Sequence, residues 1–156
     1  MSDDLKIRLA VQEDAELLTN LRLQMRRERE TAKLDISEES FRQNNLDYFS
    51  KFIADGLYVG VIAEVDGEVA ATGGICFHNH PQSYSVPNGK SACLLNMYTL
   101  PQFRGRGLAG KIVAVLVEEA RKADCCQVFL NASVMGKGVY QKFGFVDVAN
   151  EMVYNL

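Results

Sequence analysis

The string Gln102-Phe103-Arg104-Gly105-Arg106-Gly107-Leu108-Ala109-Gly110 is where residue type and spacing first suggest chemistry. Glycines at 105 and 107 let the backbone turn sharply and approach a ligand closely. From Leu108 onward apolar residues recur at helical spacing: Leu108, Ile112, Val115 and Leu116 share one face, and Ala109, Val113 and Val117 widen it. A glycine-rich turn that opens a helix presents free N–H groups and the positive end of the helix dipole, both of which suit a phosphate. Arg104 and Arg106 add charge beside it. Before the turn, 93–100 is short and mostly apolar, as a buried strand should be, and Pro101 ends its pairing because it has no N–H to donate. Gly105-Arg-Gly107-Leu-Ala-Gly110 also spells the dinucleotide fingerprint. That fingerprint wants its glycines tight against a strand and an acid about 20 residues on, ending the next strand. Here four residues from Pro101 to Arg104 intervene, and the next expected strand ends at Asn131 without an acid.

Other reactive side chains are scattered. Glu64 stands inside an apolar run, where a carboxylate is unusual, and is the first candidate for a general base; an exposed strand end is the plainer reading. His78, His80 and Glu28 are weaker candidates. His78 and His80 form H-x-H, which could share a metal, but no third ligand is near in sequence and no metal is expected. Arg22, Arg26, Arg29 and Lys33 recur at helical spacing. They read either as a solvated basic face or as a clamp for a carboxylate on a substrate. Cys76, Cys93, Cys125 and Cys126 lack metal-type spacing and read as buried reduced thiols of a cytosolic protein.

The elements that must position these groups follow from periodicity. Leu5, Ile7 and Leu9 alternate with Lys6 and Arg8, predicting a half-buried strand. Glu13 and Asp14 suit a helix start, and Leu17, Leu18, Leu21 and Met25 form its apolar stripe. Leu34-Asp35-Ile36 breaks it. Ser37 offers a cap for a second helix carrying Phe41, Leu46, Phe49, Phe52 and Ile53. The run 57–65 reads as a strand buried on both faces, Asp66-Gly67 as a tight hairpin, and 68–77 as its partner, with Gly73-Gly74 marking a bulge or a close backbone contact. A polar loop is expected over 78–90. The long helix ends in charge over 118–124, and 127–131 is a strand. Ser133 caps a short helix ending near Phe143 with Gly144 as its stop. Closing strands are expected over 145–148 and 152–156. At 156 residues, with 47% hydrophobic and 24% charged residues, the chain is expected to form one soluble domain over 1–156. A net charge of −3 argues against nucleic acid as a partner, and no apolar run approaches a membrane span.

Two motifs carry a resemblance. Gln102-x-x-Gly105-x-Gly107 after a central strand resembles the acetyl-CoA signature of the GNAT-type N-acetyltransferases. Further on, Gly138-Val-Tyr140-Gln-Lys-Phe-Gly144-Phe145 is similar to that family's tyrosine followed shortly by Gly-Phe. The resemblance implies an α/β GNAT fold, a mixed and mostly antiparallel central sheet flanked by helices in the order β-α-α-β-β-β-α-β-α-β-β. It implies a cytoplasmic enzyme that moves an acetyl group from acetyl-CoA, without a metal, to the primary amine of a small molecule or peptide. The pyrophosphate would lie on Gln102, Phe103, Arg104, Gly105, Arg106, Gly107 and the helix start at Leu108 and Ala109. The pantetheine arm would run along a bulged strand near Met97, Tyr98 and Leu100. Tyr140 would serve the leaving thiolate as catalytic acid and touch the cofactor. Ser133 stands where the family commonly has an Asn against the cofactor, and Asn131 could supply that amide instead. The acceptor pocket would come from 21–53 and 77–92. The same fold could instead serve a non-catalytic acetyl-CoA-binding sensor or assembly protein, and exposed C-terminal strands could pair in a homodimer.

Overall fold

A computed structural model describes residues 4–29, 36–148 and 150–156. Lys33 of the basic series and the expected helix break at Leu34-Asp35 lie outside the described residues. The chain runs β1 (Leu5–Leu9), α1 (Ala15–Arg29), α2 (Glu38–Ala54), β2 (Tyr58–Val65), β3 (Glu68–Asn79), β4 (Lys90–Thr99), α3 (Leu108–Lys122), β5 (Gln127–Leu130) and α4 (Lys137–Phe143). Short 3-10 turns at Gln12–Asp14 and Pro101–Phe103 lead into α1 and toward α3. The strands form one sheet in the order β1-β2-β3-β4-β5. The first four are antiparallel neighbours, and β5 joins β4 in parallel after the α3 crossover.

Local chemistry explains most boundaries. Asp66 and Gly67 both take positive φ, 51° and 82°, the pattern of a tight hairpin turn between β2 and β3. Ser37 caps α2 by accepting a hydrogen bond from the Ser40 N–H at 3.1 Å. Gly144 closes α4 in the left-handed region. Ser133 acts one turn earlier than expected: its hydroxyl accepts from the Gly136 N–H at 3.1 Å, and α4 itself starts at Lys137.

The sheet is covered on both faces, which is why β2 is apolar almost throughout. Val61, Ala63 and Val65 point to one side and pack with Ile75, Leu94 and the buried α3 residues Ile112, Val113 and Leu116. Tyr58 and Ile62 point to the other and pack with Ala15 and Leu18 of α1 and Phe49 of α2. Each fully buried Leu or Ile on these faces contributes about 1.5–3 kcal/mol.

The two expected closing strands are absent. Residues 145–148 and 150–156 form no strand, and Val146, Val148, Met152, Val153 and Tyr154 are exposed. An alternating pattern needs a neighbouring edge to pair with, and among the described residues β5 pairs with β4 alone. The expected homodimer contact through C-terminal strands therefore loses its elements.

Candidate functional site

The site is built around an irregularity in β4. Thr72 pairs with Tyr98 and Gly74 with Leu95, so β4 carries one residue more than β3 between those two pairs. This is a bulge. Asn96 absorbs it with φ 57°, a left-handed conformation that Asn tolerates better than most residues.

Both faces hold the bulge in place. On the α1–α2 face, the ring of Tyr58 leaves β2, crosses β3 over Gly74 and brings its hydroxyl to Asn96 Nδ2 at 3.3 Å. A Cβ on Gly74 would stand 2.0 Å from that hydroxyl. Asn96 Oδ1 accepts from Arg22 at 3.4 Å. On the α3 face, Met97 sits over Gly73, where a Cβ would meet its sulfur at 2.3 Å. The glycine pair expected to mark a bulge or a close contact thus does both. It lets Tyr58 pass on one side and Met97 seat on the other.

Beyond the bulge β4 loses one neighbour. β5 pairs with it over Ser91, Ala92, Cys93 and Leu94, and no pairing to β5 continues into 95–99. Among the described residues the β4 backbone along Met97 and Tyr98 is therefore an open edge, which can take an extended chain as an added strand would be taken.

The glycine-rich turn lies at the end of this edge. Gly105 and Gly107 have φ 78° and 74°, and neither would place a Cβ within 4 Å of anything. Their role is backbone shape, with space left above the turn. The N–H groups of Gly105, Gly107, Leu108, Ala109 and Gly110 donate to no described backbone carbonyl, and they cluster at the N-terminus of α3. Phe103 is buried beneath the turn and Arg106 lies over its ring at 5.3 Å. Gln102 is exposed in the 3-10 turn, and Leu100 donates its N–H to the Ala70 carbonyl at 2.9 Å. Arg104 points back along β4. It donates to the Thr99 carbonyl at 3.0 Å and to Glu28 at 2.6 Å, and Tyr98 also donates to Glu28. Those two bonds hold the Glu28 carboxyl below its ordinary range, while burial and the Glu28 bond push Tyr98 up to about 12. Glu28 is thereby a poor base.

Glu64 is also engaged. Arg8 forks onto Asp14 with bonds of 2.7 and 2.9 Å and donates its Nε to Glu64 at 3.1 Å, which ties β1 and β2 to the start of α1. Its unusual position reflects this ion-pair cluster. His78 and His80 bond different partners: His80 Nε2 is 2.6 Å from the Ser91 hydroxyl, and His78 Nε2 is 3.5 Å from Cys76 Sγ.

Tyr140 of α4 packs on the same core cluster as Met97 and Leu100, with its ring edge-on to Phe145 at 5.9 Å. Burial raises its phenol above the ordinary value, so it stays protonated at neutral pH. Asn131 and Tyr140 both line a groove of about 1010 Å³ between β5, the end of α3 and residues 143–148 and 150–151, and none of residues 97–109 does. Asn96 and Arg22 are the site residues that sequence reasoning missed or left open. An Asn in the middle of an apolar strand was the available signal for the first.

The comparisons agree with this geometry. A family model for the acetyltransferase (GNAT) family matches residues 20–145. A predicted acetyltransferase from Clostridium acetobutylicum, in a crystal structure with acetyl-CoA, is 31% identical, with 97% of this chain and 96% of that one covered and a TM-score of 0.87. A GCN5-related N-acetyltransferase from Ralstonia eutropha is 25% identical, with 97% and 98% covered and a TM-score of 0.85. Among curated proteins, a glucosamine 6-phosphate N-acetyltransferase from Arabidopsis thaliana is 28% identical over 89 residues, 57% of this chain and 58% of that protein. No helix among the described residues is long and apolar enough to cross a membrane. With a family model covering most of its length and a bulged β4, unpaired to β5 beyond Leu94, leading to a glycine-rich helix start, the chain belongs to the acetyltransferase (GNAT) family.

Proposed function

We propose that the protein transfers an acetyl group from acetyl-CoA to the primary amine of a small acceptor. The observation that carries this reading is the sequence of features along β4: Asn96 bulges, the edge beyond it is free of β5, and N–H groups at the start of α3 donate to no described backbone carbonyl. The donor fits these residues because a pyrophosphate needs N–H groups and an extended amide arm needs an open strand edge. Acetyl-CoA supplies an activated thioester carbonyl, and the protein needs no nucleophile of its own.

The N–H groups of Gly105, Gly107, Leu108, Ala109 and Gly110 bind the pyrophosphate. The edge of β4 at Met97 and Tyr98 orients the arm, and the bulge turns a backbone N–H toward the point where negative charge develops. Tyr140, kept protonated by burial, donates to the departing sulfur. Neither Glu64 nor Glu28 is available as base, so the acceptor amine loses its proton through water.

The acceptor carries an anionic group. Arg22 is half-buried between α1 and the bulge and bonds to Asn96 Oδ1, with no carboxylate partner among the described residues. Arg26 of the expected basic face stacks on Phe41 at 3.9 Å, and Arg27, outside that series, pairs with Glu38. A guanidinium beside the reacting end and unmatched by a carboxylate favours a carboxylate or phosphate on the incoming amine.

The experiment is thiol release from acetyl-CoA across a panel of amino acids, amino-sugar phosphates, polyamines and peptide amines. Turnover with anionic amines is expected, with KM rising at least tenfold in Arg22→Met for those acceptors alone. Binding of acetyl-CoA without thiol release for any amine would instead favour a sensor.

A further inference from the structure

Away from the acyl-donor edge, β3 and β4 bring together three donors that sequence spacing conceals. Cys76 and Cys93 are register partners, so both thiols rise from the same face of the sheet. His78 follows Cys76 by two residues on the same strand and therefore shares that face. Cys76 Sγ, Cys93 Sγ and one ring nitrogen of His78 lie within 4.8 Å of one another, and Cys76 Sγ is 3.5 Å from His78 Nε2. Both cysteines are half-buried and free.

These separations suit one ion. Zinc–sulfur bonds of about 2.3 Å and zinc–nitrogen bonds of about 2.0–2.1 Å give tetrahedral edges of roughly 3.5–3.8 Å. The Cys76–His78 edge already has that length, and the other two are no longer than 4.8 Å. The donors are also held. Two hydrogen-bonded strands carry them, and the His78 ring packs against Phe129 at 5.5 Å and His80 at 6.1 Å. Two thiols and an imidazole select zinc-class ions over magnesium or calcium.

We propose that Cys76, His78 and Cys93 form a three-ligand site for a divalent zinc-class cation, with water in the fourth position. A metal takes these thiols as thiolates, so uptake is coupled to proton release. This assignment does not depend on acetyl transfer.

The test uses cobalt(II) as probe on reduced, metal-free protein. One equivalent per chain should give a sulfur-to-cobalt charge-transfer band and the visible bands of tetrahedral cobalt, both removed by zinc. Cys76→Ser, Cys93→Ser and His78→Ala should each lose the charge-transfer signal or the tetrahedral geometry. His80→Gln and the double variant Cys125→Ser/Cys126→Ser should retain both. Zinc should raise the melting temperature of the wild type and leave that of His78→Ala unchanged, a variant whose surface position spares the fold. Absence of the band in the wild type, its survival in Cys76→Ser/Cys93→Ser, or its loss in Cys125→Ser/Cys126→Ser would overturn the assignment.

Discussion

Gly74→Ala tests whether the bulge is held as described. The added methyl would stand 2.0 Å from the Tyr58 hydroxyl and 2.2 Å from the ring carbon bearing it. Tyr58 cannot step aside freely, because it is fully buried and its ring packs edge-on against Phe49 at 5.2 Å. Overpacking of this kind costs about 1–3 kcal/mol, and loss of the Tyr58–Asn96 bond adds about 1 kcal/mol. The sum, about 2–4 kcal/mol, lowers the melting temperature by roughly 4–16 °C for a domain of this size. Urea unfolding followed by circular dichroism measures the first quantity. The bulge should suffer as well, so single-turnover acetyl transfer should slow more than binding of coenzyme A weakens. A double-mutant cycle separates the cause: Tyr58→Leu should cost less in the Gly74→Ala background than in the wild type, because it removes the clashing atoms. A stability change under about 0.5 kcal/mol, the range of an indifferent surface substitution, would refute the reasoning. So would strict additivity in the cycle.

Tyr140→Phe keeps the ring and its packing, so coenzyme A affinity should hold while single-turnover transfer falls by about 10²–10⁴-fold; a wild-type rate and pH profile would make Tyr140 a packing residue. Gly105→Val and Gly107→Val impose a β-branched residue on φ near 75°, and each should weaken coenzyme A binding by calorimetry more than it lowers the unfolding midpoint. Asp14 is held below its ordinary range, first by the bond from Arg8. A depressed carboxyl contributes stability that is present above its unfolded value and lost as pH falls through its folded value. The gap in unfolding free energy between wild type and Asp14→Asn should therefore be full at neutral pH and close in acid. A gap that persists unchanged into acid would exclude the ion pair as its source.

The sequence by itself determined what local chemistry controls. Pro101 had to end β4, the glycines at 105 and 107 had to turn the chain, and Leu108, Ile112, Val113 and Leu116 had to face a core. The Ser37 cap, the Asp66-Gly67 hairpin and the Gly144 stop are also local, since each is a short-range hydrogen bond or a φ preference. Tertiary structure decided what depends on register and on neighbours. Glu64 looked anomalous until Arg8 crossed from β1 to meet it. Glu28 found Tyr98 and Arg104 across some 70 residues of chain. The alternation over 145–148 and 152–156 resembled strands, yet pairing needs a partner edge that no local pattern supplies. Cys76 and Cys93 face each other because β3 and β4 pair in one register, and a slip of one residue would send one thiol to the opposite face. The bulge at Asn96 is the clearest case. Its extra residue is visible only against β3, and it persists because Gly73 and Gly74, distant in sequence, leave room for Met97 and Tyr58 to hold it from both sides.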